Sequence, residues 1–133
     1  MTARSQSAPD ITHVIYDNDG LLLDTEPFYT QAHEILAGRY GKVFDWGVKS
    51  RMIGLRAEDS AKVVLDALQM PLSVPEYLEA RKQLLVRLFP GAEPMPGAVR
   101  LSRHLHRAGV PQAVATSSDG YYFDLKITRH RDW

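Results

Sequence analysis

The feature that most constrains the fold is a short run, Val14-Ile15-Tyr16, that is β-prone and continuously apolar after His13 and passes without a spacer into Asp17-Asn18-Asp19-Gly20. Such a run suits a buried strand of a parallel sheet. A carboxylate pair at the carboxyl end of that strand stands where open α/β sheets bind their ligands. A second unit of the same kind lies far downstream, where Val110 to Ala115, with Pro111 near its start, reads as a short strand ending at Thr116-Ser117-Ser118.

Between the two units the periodicity is helical. Phe28, Ala32, Ile35 and Leu36 recur at i, i+4, i+7 and i+8 behind Pro27. Ala61, Val64, Leu65 and Leu68 share one face of a helix expected over Glu58 to Leu68, ahead of Pro71. A third helix follows Pro75 and carries Tyr77, Leu84, Leu85 and Leu88. The breaker cluster Pro90, Gly91, Pro94, Pro96 and Gly97 reads as a domain-scale hinge. Beyond it Ala98, Leu101, Leu105 and Ala108 form a stripe that stops at Gly109. The organisation predicted is α/β: a partial Rossmann-like parallel sheet core, residues 1–25 and 95–133, interrupted by a helical block at 26–94. The 133 residues suffice for one such core with a small insertion.

Two aspartates one residue apart on a loop leaving a strand can both face a pocket. One carboxylate can attack phosphorus and form an aspartyl-phosphate, dividing hydrolysis into two easier steps. The other can donate a proton to the leaving oxygen and later deprotonate water. Carboxylates and phosphate together need a hard cation between them, and magnesium, which takes few protein ligands and keeps waters, suits that task. Gly20 lets the chain turn beside the phosphate. Thr116 and Ser117 offer hydroxyls and backbone N–H groups to its oxygens. An ordinary reading of Thr116-Ser117-Ser118 is a helix N-cap, and Asp24-Thr25 can likewise cap the helix that follows it.

The run from the strand through Asp17-Asn18-Asp19-Gly20 to Asp24-Thr25 resembles the first motif of haloacid-dehalogenase-type phosphatases, and Val114-Ala115-Thr116-Ser117-Ser118 resembles their second. One branch of that family inserts a helical cap between these motifs. Phe44-Asp45-Trp46, Met95-Pro96-Gly97-Ala98 and Phe123-Asp124-Leu125-Lys126 are similar to the subgroup of pseudouridine-5′-phosphatase and the plant glycerol-3-phosphatases. The resemblance implies Asp17 as nucleophile and metal ligand, Asp19 as acid/base with its carbonyl on Mg2+, and Thr116 with Ser117 on the phosphate. Arg56, in a loop similar to the family's substrate-facing cap loop, is implied as a substrate contact; its ordinary reading is a solvated side chain.

The resemblance also implies a lysine from a third motif and acidic residues from a fourth, and the sequence reaches Trp133 before either. Lys126, in the helix after the second motif, is not expected to replace that lysine. An exposed sheet edge and a catalytically incomplete product or interaction module are therefore the competing expectation. A sugar-phosphate mutase is the other alternative, disfavoured because Tyr29 stands where mutases of this branch carry histidine. Asn18 occupies a position that is apolar in the family, and if buried it needs a partner.

Sixteen basic and sixteen acidic residues leave no net field to gather nucleic acid or anionic lipid, so local sites must do the work, and the partner the resemblance implies is a small phosphorylated metabolite. Cysteine is absent, which excludes thiol chemistry. Met1 to Asp10 reads as a polar tail without the apolar stretch of a secretory signal. No run approaches the roughly 20 apolar residues of a membrane span, which makes the cytoplasm the default location. His104, His106 and His130 read as surface residues of helices with no convergent ligand spacing, and Trp46 and Trp133 are expected to pack rather than recognise.

Overall fold

The computed structural model describes residues 11–133; the expected polar tail at Met1–Asp10 lies outside the described residues. Two strands, β1 (Val14–Tyr16) and β2 (Gln112–Val114), pair in parallel with Val14 opposite Gln112, Ile15 opposite Ala113 and Tyr16 opposite Val114. Between them run α1 (Glu26–Arg39), α2 (Trp46–Met52), α3 (Ala57–Leu68), α4 (Val74–Leu88), a 3-10 turn (Phe89–Gly91) and α5 (Ala98–Arg107); α6 (Gly120–Lys126) follows β2. The fold is mixed α/β with a parallel pair, as the two strand units imply.

Local chemistry sets the helix boundaries. Proline in the first turn of α1 fixes a helical φ where no N–H is needed. Ser73 and Glu76 form a reciprocal capping box that starts α4. Gln69, in the left-handed conformation, stops α3. Helix α2 was not expected from the sequence: at seven residues it shows little periodicity, and its signal is the Asp45 side chain accepting from the Val48 N–H at 3.0 Å.

The hydrophobic core sits inside the helical block. Leu36 from α1, Ala61 and Val64 from α3, Tyr77 and Leu85 from α4, and Phe89 are all essentially buried in one cluster. The two connections to that block lie side by side: the Asp24 N–H donates to the Glu93 carbonyl at 2.9 Å, the Met95 N–H to the Leu22 carbonyl at 2.8 Å, and Leu23 bridges Pro94. These bonds seat the block directly over the loop that leaves β1.

Three expectations change. The strand β1 is buried only in part: Tyr16 is buried, whereas Ile15 is 69% exposed, because the described sheet has two strands and one face is left uncovered. The apolar stripe of α5 forms as a helix, but none of its residues is buried and Leu101 is 51% exposed. Trp46 does not pack; it is 68% exposed at the first turn of α2, whereas Trp133 is partly buried and donates its indole N–H to Ser102 Oγ at 2.7 Å. No described helix is long and apolar enough to cross a membrane.

A titratable ring lies against the hydrophobic core. His33 is 4% exposed, its Nδ1 meets the Tyr77 hydroxyl, and its ring stacks on Phe44 at 4.9 Å between centroids. Burial, reinforced by the charges of Arg81 and Lys49, pushes its pKa down to about 4. A histidine depressed in the fold contributes stability that is complete above its unfolded value near 6.5 and is lost as pH falls through the folded value. Thermal melts should therefore show a drop between pH 6.5 and 4 worth up to about 3 kcal/mol. In His33→Leu that drop should flatten; an unchanged pH profile would show that His33 is not the group responsible.

Candidate active site

The loop after β1 is built around Asn18. Its backbone carbonyl accepts from the N–H groups of Leu22 and Leu23, each at 3.0 Å, while Gly20 at φ +73° reverses the chain and donates to the Leu23 carbonyl at 2.8 Å. The turn separates the two aspartates. Asp17 projects into solvent with Oδ1 accepting from the Asn18 N–H at 2.7 Å. Asp19 is drawn inward, with 22% of its side chain exposed. Asn18 itself is buried, and its Nδ2 finds no hydrogen-bond partner among the described residues, so the polar residue in a usually apolar position carries the cost expected of it.

Asp19 is the most constrained side chain of the site. Its Oδ1 accepts from Thr25 Oγ1 at 2.6 Å and from Lys126 Nζ at 2.6 Å, and its Oδ2 accepts from Ser118 Oγ at 2.9 Å. Burial by itself would raise this carboxyl. The Lys126 ammonium and the hydroxyls of Thr25 and Ser118 outweigh it and hold the pKa below the ordinary carboxylate value. Thr25, fully buried at the start of α1, spends its hydroxyl on Asp19 and makes no capping bond with it.

The second loop joins from β2, where the Ala115 N–H donates to the Tyr16 carbonyl at 2.8 Å and so carries Thr116 to Ser118 beside the first loop. Thr116 Oγ1 accepts from the Ser118 N–H at 3.1 Å. The N-cap reading of this hydroxyl run does not hold, because Asp119 caps α6 by accepting from the Tyr122 N–H at 2.8 Å. Asp19, Ser117, Ser118 and Arg56 line one cavity of about 820 Å3 between the strand loops and the helical block; Asp17 and Thr116 lie outside that lining. Arg56 is exposed at its edge, N-terminal to α3. A separate cavity of about 490 Å3, lined by Tyr16, Asn18, Gln112 and Trp133, receives neither aspartate.

Lys126 is the residue that sequence reasoning set aside. It does lie in the helix after the second motif, yet its ammonium reaches Asp19 and its side chain is fully buried. A signal was present in the i, i+4 spacing of Tyr122 and Lys126, which puts the lysine on the inward face of α6. His130 is not on a helix; it follows α6, and its Nε2 bonds the Ala92 carbonyl at 2.6 Å. Among the described residues no cluster of three or more His, Asp or Glu side chains could hold a metal unaided.

A parallel α/β core with a helical block between its two site loops defines a class, and the comparisons place the chain within it. A family model for haloacid dehalogenase-like hydrolases matches residues 14–131, and the chain belongs to that family. It is 44% identical to (DL)-glycerol-3-phosphatase 1, mitochondrial, of Arabidopsis thaliana over 99% of this chain and 45% of that one. It is 40% identical to the "Probable pseudouridine-5′-phosphatase" of Drosophila melanogaster over 92% of this chain and 53% of that one. The crystal structure of a HAD hydrolase, family IA, variant 3, from Entamoeba histolytica superposes with a TM-score of 0.70 at 20% identity, covering 89% of this chain and 54% of the other. The chain spans about half the length of the curated relatives it matches.

The Thr25–Asp19 bond gives a direct test of the loop geometry. Thr25→Val keeps the shape and removes a charge-assisted hydrogen bond, so stability should fall by about 1.5–3 kcal/mol in urea titrations with the slope unchanged. A loss within error would mean that the bond does not hold the loop.

Proposed function

We propose that the chain carries the catalytic first half of a magnesium-dependent phosphomonoester hydrolase, with a helical cap at 26–94 over a core at 1–25 and 95–133. The observation that carries this reading is the division of labour between the two aspartates. Asp17 stands exposed at a strand end with a single local backbone bond, while Asp19, two residues on, is gripped by Thr25, Ser118 and Lys126. A free carboxylate suits attack and a positioned one suits proton transfer.

In this mechanism an oxygen of Asp17 attacks phosphorus and the bond from phosphorus to the leaving alkoxide breaks, giving an aspartyl-phosphate. Asp19 supplies the proton to the leaving oxygen, then removes one from the water that attacks phosphorus and releases Asp17. The contacts seen here favour ionised Asp19, the form that deprotonates water, so its proton must be acquired before the alkoxide departs. Thr116 and Ser117 receive phosphate oxygens, and Arg56 meets the substrate at the cavity edge.

The donor set fits magnesium in a limited way. The Asp17 carboxylate and the Asp19 backbone carbonyl are hard oxygens, and with fewer than three acidic or imidazole ligands at hand the remaining positions suit water and phosphate. Bound there, the ion would offset the charge between carboxylate and phosphate. The cavity of about 820 Å3 that Asp19, Ser117 and Ser118 line has room for a sugar or a nucleoside as leaving group. The relatives named for glycerol 3-phosphate and pseudouridine 5′-phosphate make those two esters the first substrates to try.

Phosphate release from whichever of the two esters is hydrolysed should require magnesium, stop on chelation, and fall by at least about a hundredfold in Asp17→Asn. Equal rates for the two proteins would sink the nucleophile assignment. No release from the chain at all would favour the incomplete product or interaction module.

A further inference from the structure

Lys126 is a lysine with every donor engaged and no water contact. Its side chain is 0% exposed, and Nζ donates to Asp19 Oδ1 at 2.6 Å, to Ser118 Oγ at 2.8 Å and to the Tyr29 hydroxyl at 3.2 Å. The ammonium also sits 4.5 Å from the centroid of the Phe89 ring and 5.5 Å from that of Tyr29. A desolvated ammonium is costly unless it is paired and hydrogen-bonded, and here three oxygens and two aromatic faces meet that requirement. Nothing in the reaction as written uses this group.

Its partners come from three parts of the molecule. Asp19 belongs to the loop after β1, Ser118 to the loop after β2, and Tyr29 and Phe89 to the helical block. Ser118 Oγ donates onward to Asp19 Oδ2, closing a ring of contacts that leaves the carboxyl little rotational freedom. We propose that Lys126 is a positioning residue for the hydrolysis assigned above: it fixes the Asp19 carboxyl toward the leaving oxygen and, through Tyr29 and Phe89, makes that orientation depend on how the helical block is seated. This rests on the phosphatase reading for its consequence, but the contact itself does not.

The test has two arms. In the lysine-labelled chain, the side-chain 1H–15N spectrum should show one slowly exchanging ammonium resonance that vanishes in Lys126→Met and shifts in both Asp19→Asn and Tyr29→Phe. Absence of that resonance, or indifference to both variants, overturns the proposal whether or not the chain releases phosphate, and Asp19→Asn and Tyr29→Phe decide it should Lys126→Met fail to fold. The second arm compares an alkyl phosphomonoester with p-nitrophenyl phosphate, whose leaving group needs no proton. In Lys126→Met the ratio of the two kcat values should fall about tenfold against the alkyl ester. Equal losses would mark a merely structural lysine and overturn the positioning role. If the wild-type chain releases no phosphate, the phosphatase reading fails separately and the resonance alone decides the contact.

Discussion

Parallel pairing of Val14–Tyr16 with Gln112–Val114 is the constraint from which the site follows. Strands so far apart in sequence meet through only three register pairs, yet those pairs bring the loop at Asp17 beside the loop at Thr116. A parallel pair cannot be closed by a tight turn, so a long crossover is obligatory. Here the crossover contains its own hydrophobic core, and its two connections to the strands are laced by backbone bonds at Leu22–Asp24 and Glu93–Met95. The helical block is thereby fixed over the strand ends, and a cavity bounded by both becomes unavoidable.

Within that frame the electrostatics are settled by one group. Asp19 is partly withdrawn from water, which disfavours its charge; Lys126, Thr25 and Ser118 restore it. The lysine is withdrawn further still, so loss of the Asp19 carboxylate leaves its buried ammonium without a counter-charge. Asp17, two residues earlier, has no such dependence, because Gly20 and the Asn18 carbonyl turn the chain before the second carboxylate arrives. The contrast between two adjacent carboxylates thus has its origin in backbone geometry.

Much of this was legible in the sequence, for physical reasons. The strand-to-aspartate junction and the amphipathic stripes of α1, α3 and α4 are local patterns, and each forms where its pattern lies. Burial was less legible, because it depends on what covers a face: the periodicity of α5 is sound, yet no residue of it is buried. The role of Thr25 divided evenly between cap and motif on sequence grounds, and only its contact with Asp19 separates them. The burial of Lys126 was the least legible feature. A lysine near the end of a short helix is ordinarily solvated, and its value here arises from partners 97 and 107 positions away, which no local window contains.

The distribution of burial also bears on where the stability of the chain resides. The helical block holds the cluster formed by Leu36, Val64, Tyr77, Leu85 and Phe89, whereas the strand pair leaves Ile15 and Val114 exposed and α5 leaves Leu101 exposed. Hydrophobic stabilisation scales with apolar area removed from water, so the block supplies most of it and the strand pair little. The site loops leave that exposed strand pair, although Asn18, Leu22 and Leu23 of the first loop are themselves buried. Their order must then be borrowed from the block, and the groups that transmit it are those joining the two: the paired connections, and Lys126 with Tyr29 and Phe89. A disturbance in the block need not touch an aspartate to reach the site, since it can act through the lysine that both share.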